Sequence, residues 1–152
     1  MSDAPQPIMI LMADDDPDDC LLTQRALSAS RVINEVRFVG DGEELMDYLL
    51  KRGAYAEADA PRPNLILLDL NMPRKDGREA LREIKQHHSL HCIPVVVMTT
   101  SKEEEDIVRS YDLGANSFIT KPVTFDRLVE LMSVLGTYWV EIVELPKNRV
   151  EK

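Results

Sequence analysis

Five side chains able to do chemistry sit where runs of apolar residues end. Asp14 and Asp15 follow Ile8 to Met12, Asp69 follows Leu65 to Leu68, Thr99 follows Val95 to Met98, and Lys121 stands just beyond Ser117 to Ile119. Gathered into one crevice, the three carboxylates would repel. Two unit charges about 5 Å apart at an effective dielectric of about 20 cost roughly 3 kcal/mol. Protonation of one carboxyl, a lysine or a cation must offset that. A hard divalent ion suits such a group, and Mg²⁺ commonly takes one or two carboxylates together with waters and phosphate oxygens. Lys121 adds one fixed positive charge and Thr99 a hydroxyl donor. An acceptor carboxylate, a metal, a cation and a hydroxyl are the parts of phosphoryl transfer.

Whether these residues meet depends on the elements between them. The apolar runs are short and nearly unbroken, as expected of strands buried on both faces of a parallel sheet; Val36 to Val39 supplies one more. Helix-period segments with start signals separate them. Asp16 precedes Pro17, a residue suited to the first helical position. Asp41 with Glu44, Asp76 with Glu79, and Ser101 with Glu104 have capping-box spacing, and Thr124 caps the last helix. Five βα units with short connections predict a flavodoxin-like (βα)5 fold, a doubly wound parallel sheet with helices on both faces. Ligands of such sheets bind outside the carboxyl ends of the strands, where the strand order reverses. With order 2-1-3-4-5 the first and third strands meet there, bringing Asp14, Asp15 and Asp69 together. The second strand is then an edge, and Gly40-Asp41-Gly42 at its end reads as a turn and cap. The segment from 53 to 64, with Pro61 and Pro63, reads as a surface loop.

A chain of 152 residues, 44% hydrophobic and 30% charged, suits one compact domain with its own core. The expected plan is a core at 8–133, a flexible arm at 1–7 and a C-terminal extension at 134–152. Eighteen basic against 27 acidic residues leave a net charge of −9, which argues against non-specific binding of nucleic acid. No apolar run approaches the length of a membrane span. With two cysteines and no run resembling a signal peptide, a reduced, cytoplasmic setting is expected. Cys20 and Cys92 read as buried thiols, and His87, His88 and His91 as helix-end and loop residues without a metal. Asp16, Asp18 and Asp19 read as an acidic helix start, and the run Glu103 to Asp106 as a solvated one.

Asp14-Asp15, Leu68-Asp69-Leu70-Asn71-Met72-Pro73, Asp76-Gly77, Thr99-Thr100 and Lys121-Pro122, in that order, resemble the motif set of two-component receiver domains. The resemblance spans residues 8 to 133 and includes the intervals of thirty residues from Asp69 to Thr99 and fifty-two from Asp69 to Lys121. It implies a single-domain response regulator in which Asp69 accepts a phosphoryl group from a sensor histidine kinase. It implies that Asp15 binds Mg²⁺ directly and Asp14 mostly through water, with Asp69 and the backbone carbonyl of Asn71 completing the protein ligands. Thr99 would be the switch hydroxyl, Phe118 the rotating aromatic and Lys121 the phosphate's partner. The Lys121–Pro122 bond would be cis.

Past the point where such a domain usually ends, Leu135, Tyr138, Trp139 and Ile142 continue a helical apolar stripe. Either it folds back on the chain's own core or it forms a dimer seam, since large aromatics favour interfaces. The segment Tyr138 to Pro146, with Thr99 to Lys102 and Asp15 to Asp19, resembles the small response regulators encoded with bacterial phytochromes. That resemblance implies a phytochrome kinase as partner, and a homodimer. The rival enzyme reading is a Mg²⁺-dependent aspartyl-phosphate phosphohydrolase, which needs a general-acid Asp two residues after its nucleophile; Asn71 stands there. A flavodoxin-type cofactor binder needs a phosphate-cradling loop after the first strand, where this chain is acidic. An end-point regulator and a relay intermediate share these motifs.

Overall fold

A parallel strand covered on both faces has to be apolar along its length, and the three inner strands of this chain, IMILMA, LILLD and VVVMT, are so up to their carboxyl ends. The computed structural model describes residues 8–29, 34–57, 59–70, 72, 77–99, 117–120, 126 and 130; positions 34, 99 and 117–120 are described through their backbone. The elements are β1 (Ile8–Ala13), α1 (Pro17–Ala29), β2 (Asn34–Val39), α2 (Gly42–Leu50), a 3-10 turn at Gly53–Tyr55, β3 (Leu65–Asp69), α3 (Gly77–Gln86), β4 (Val95–Thr99) and β5 (Ser117–Thr120). The sheet runs β2-β1-β3-β4-β5, every pair parallel. This is the flavodoxin-like order expected, with β2 at the edge. The arm at 1–7, the helix expected after β4, the caps Ser101 and Thr124, and the extension at 134–152 lie outside the described residues; of the helix expected after β5, Asp126 and Glu130 are described, both helical. Among those described, no helix is long and apolar enough to cross a membrane.

Alternation along each strand sorts the core into two layers. Ile10, Met12, Leu65, Leu67, Val96 and Met98 pack on one face with Leu27 of α1. Leu11, Ala13, Ile66, Leu68, Val95 and Val97 pack on the other, against Leu45 and Met46 of α2 and Leu81 and Ile84 of α3. The inward stripe of α1 is Thr23, Ala26 and Leu27, the spacing of one helical face.

The helix starts follow local chemistry. Asp16 Oδ1 accepts the Asp18 amide at 2.9 Å, and the Asp16 carbonyl accepts the first helical bond, from Cys20, at 3.1 Å. Asp41 Oδ1 accepts the Glu44 amide at 2.8 Å. Glu44 departs from the capping-box expectation: its Oε1 accepts from the Gly40 amide at 2.8 Å, one residue further back than the cap. Its Oε2 meanwhile accepts from the Tyr55 hydroxyl at 2.6 Å.

That bond belongs to a segment held more firmly than a surface loop. Tyr48 Oη donates to the Pro61 carbonyl at 2.9 Å, Lys51 Nζ to the Ala60 carbonyl at 2.7 Å, and Ala60 itself is buried. Asn64 closes the segment against β1, its side chain accepting from the Met9 amide at 2.8 Å and its own amide donating to the Met9 carbonyl at 2.7 Å. Carbonyls that a loose loop would leave to water are taken by Tyr48 of α2 and by Lys51, the residue that caps its end.

Burial, reinforced by the hydrogen bond to Glu44, pushes the Tyr55 hydroxyl up to about 12 from its ordinary 10. The folded state thus holds this proton more tightly than the unfolded chain. The resulting stabilisation is complete below pH 10 and is lost as pH rises towards about 12. Tyr55→Phe should cost about 1 kcal/mol near neutral pH and flatten that alkaline decline. Denaturant melts across the range read both effects.

Candidate functional site

The register of β1 on β3 pairs Met12 with Leu67 and Ala13 with Leu68, so Asp14 stands level with Asp69. Residue 14 continues the series 10, 12, and residue 69 the series 65, 67, so both side chains leave the sheet on the face that α1 covers. Both are nearly closed off, Asp14 at 3% and Asp69 at 4% exposure. Asp15 is exposed, yet one oxygen from each of Asp14, Asp15 and Asp69 lies within 4.8 Å of the other two. The structure thus gathers the three acids as the strand order requires.

Asp14 is positioned by its own backbone and by the turn it initiates. Its amide donates to the Val39 carbonyl at 3.0 Å, extending the β1–β2 ladder one step. Its Oδ1 accepts the Asp16 amide at 2.9 Å, an Asx turn that swings the chain from β1 into α1. The acidic run therefore divides its labour. Asp14 and Asp15 face the crevice, Asp16 caps the helix, and Asp18 and Asp19 lie in its first turn at the positive dipole end. A cleft of about 480 Å³ opens beside the pair, lined in part by Pro17, Leu21, Phe38 and Val39.

Asp69 is held from the other side. The Leu70 amide donates to the Met98 carbonyl at 3.2 Å, and the Gly77 amide to the Leu70 carbonyl at 3.0 Å. The start of α3 thus presses against the end of β3. A Cβ on residue 77 would strike the Asp69 carbonyl oxygen and lie 2.6 Å from the Leu70 Cα. Sequence reasoning took Asp76-Gly77 for turn and cap chemistry; Asp76 lies outside the described residues, and Gly77 is needed for close approach. A glycine at the first position of a helix, where the backbone conformation does not demand one, is the signal that points to it.

Thr99 ends β4 one step beyond the Asp69–Met98 pair and is level with Thr120 of β5, the residue before Lys121. The backbone therefore brings positions 14, 69, 99 and 120 to one rim of the sheet. The side chains of Thr99 and Phe118, and the residues Asn71, Thr100, Lys121 and Pro122, lie outside the described set.

The donor set fits a hard divalent cation. It is all oxygen, two of its three carboxylates are withdrawn from water, and their mutual repulsion falls when a 2+ charge sits between them.

Comparison with known proteins shows the family. The model of the response regulator receiver domain matches residues 10–133. The chain belongs to the response regulator receiver domain family. It is 44% identical over 140 residues to the response regulator Rcp1 of Synechocystis sp., covering 92% of this chain and 94% of that one. Among solved structures it resembles the phosphorylated cyanobacterial phytochrome response regulator RcpA, with 46% identity and a TM-score of 0.77 over 90% of this chain and 96% of that one. It also resembles the Mn²⁺-bound form of Rcp1, with 43% identity and a TM-score of 0.76 over the same shares. As a receiver domain the chain is a phosphoryl acceptor of two-component signalling, and its partner is a sensor histidine kinase.

Gly77→Ala forces β3 and α3 apart beside the acidic rim. It should cost about 1–3 kcal/mol, lowering Tm by about 2–4 °C per kcal/mol in a chain of this size. At Gly40 an added Cβ would meet only Glu44 Oε1, at 3.7 Å, so Gly40→Ala should leave Tm nearly unchanged. Thermal melts of the two variants side by side check the contrast.

Proposed function

We propose that Asp69 is the phosphoryl acceptor and that Asp14, Asp15, Asp69 and the backbone carbonyl of Asn71 hold Mg²⁺. The observation that carries this reading is the buried Asp69 carboxylate at the end of β3, with carboxylate oxygens of Asp14 and Asp15 within 4.8 Å of it. A carboxylate oxygen of Asp69 attacks the phosphorus of a phosphohistidine; the O–P bond forms, the P–N bond breaks with its electron pair passing to the ring nitrogen, and the ring leaves as imidazole with a proton taken from solvent. Asp69 reacts as the carboxylate and has no proton to surrender, so positioning and charge do the catalysis. Mg²⁺, when bound, neutralises charge on the carboxylates and on the phosphoryl oxygens.

The remaining roles are assigned on the same reading. Lys121, joined to Pro122 by a cis peptide, pairs with the phosphoryl group, and Thr99 donates its hydroxyl to it. Phe118 fills the space that Thr99 vacates, and the population of the partner-binding face shifts. The chain acts as a catalyst only on its own phosphorylation and dephosphorylation. Its likeness to regulators named for phytochromes supports a bacterial phytochrome as the donor kinase. The stripe Leu135, Tyr138, Trp139 and Ile142 is the seam of a homodimer.

Acetyl phosphate with Mg²⁺ should label the wild-type chain, chelation of the metal should abolish labelling, and Asp15→Ala should lower it strongly. Asp69→Asn should take no label while keeping its fold by circular dichroism; acid-stable label retained in that variant would refute the assignment. Truncation after Leu135 should lower the mass in light scattering, and an unchanged mass would discard the seam.

A further inference from the structure

At the opposite end of the sheet from the acidic rim, the turn from α3 into β4 brings a histidine and a cysteine side chain together. Sequence reasoning took Cys92 for a buried thiol; it is exposed, as is His91. Cys92 Sγ lies 3.5 Å from His91 Nε2. His91 Nδ1 lies 3.0 Å from the His87 carbonyl oxygen. A carbonyl only accepts, so Nδ1 carries the ring hydrogen. In the neutral imidazole Nε2 then keeps its lone pair, on the side of the ring near the thiol.

The platform beneath the pair is fixed. The His91 amide donates to the His87 carbonyl and the Ile93 amide to the Leu90 carbonyl, each at 3.0 Å. Lys85, half-buried in the last turn of α3, donates from Nζ to the His91 carbonyl at 3.3 Å and to the Ile93 carbonyl at 2.9 Å, bracketing Cys92.

We propose that His91 and Cys92 form a bidentate site for a soft divalent transition metal of the Zn²⁺ type, separate from the acidic rim. A tetrahedral Zn²⁺ with Zn–S of about 2.3 Å and Zn–N of about 2.0–2.1 Å sets sulfur and nitrogen about 3.5 Å apart, the separation this pair already has. A metal-ligating histidine characteristically gives its other ring N–H to a carbonyl or carboxylate, which fixes the tautomer; His87 supplies that carbonyl. Thiolate and imidazole select zinc-like ions, whereas carboxylate oxygens select Mg²⁺, so the two ends of the sheet sort metals by ligand softness. His87 contributes its carbonyl and not its ring. Its Nδ1 accepts the Ser89 amide at 3.1 Å, and its ring stacks on His88 with centroids 4.7 Å apart. Binding breaks the Cys92 S–H bond and forms an S–metal bond, the proton passing to buffer; waters fill the remaining positions.

The full chain should be titrated with Co²⁺ in the presence of excess Mg²⁺. The expected result is a near-ultraviolet thiolate-to-cobalt charge-transfer band that saturates at no more than one metal per chain and is displaced by Zn²⁺. Cys92→Ser should remove the band, His91→Ala should weaken binding by about tenfold or more, and Asp69→Asn should leave it intact. Both altered side chains of the pair are exposed, and circular dichroism verifies that the fold is kept. No band in the wild-type chain, a band that survives Cys92→Ser, or unchanged affinity in His91→Ala would overturn the proposal.

Discussion

Two carboxylates withdrawn from water side by side are the constraint around which this fold is arranged. Asp14 and Asp69 lie on adjacent strands, on one face of the sheet, each almost without solvent contact. Left to themselves they would repel by roughly 3 kcal/mol at about 5 Å and an effective dielectric of about 20. The neighbouring backbone holds them in place: the β1–β2 ladder extends through Asp14 to Val39, the Asx turn uses one Asp14 oxygen, and the β3–β4 ladder runs past Asp69 to Leu70. A site strained in charge but rigid in position favours whatever brings positive charge to it. That is the property a metal-assisted phosphoryl acceptor requires, since little covalent work is left for the protein beyond positioning and neutralisation.

That rigidity rests on the apolar strands. Because α1 covers one face and α2 with α3 the other, every position of β3 and every position of β1 after Ile8 is buried. A slip of one residue between β1 and β3 would send Asp14 or Asp69 to the opposite face and separate the pair. Polar side chains are tolerated at the carboxyl ends because there the strands end and the chain turns. The composition of the strands and the placement of the acids are thus one requirement seen twice.

Much of this was legible in the residues because it depends on local or strictly periodic features. Unbroken apolar runs marked strands buried on both sides, Asp16-Pro17 marked the start of α1, and Asp41 its cap on α2. What escaped depends on residues far apart in the chain. The spacing of Asp41 and Glu44 is that of a capping box, yet Glu44 reaches Gly40 and Tyr55 instead, a geometry settled by the 3-10 turn eleven residues on. The segment from 53 to 64 has loop composition, and only the third dimension shows Tyr48, Lys51 and Met9 gripping its carbonyls and Asn64. Gly77 looks like turn chemistry until β3 is laid beneath it. Cysteine is among the most buried residue types, and only the path of the turn at 87–93 brings Cys92 to the surface.

Helix α3 touches both ends of the molecule, Gly77 against Asp69 and Lys85 against the carbonyls flanking Cys92. Contact at both ends of a rod does not by itself make the ends communicate. Coupling requires an element with two arrangements whose balance both sites bias. Ala80, Leu81 and Ile84 bury α3 against the core, and a close-packed core deforms little. The acidic rim and the His91–Cys92 turn are therefore expected to bind their ions independently.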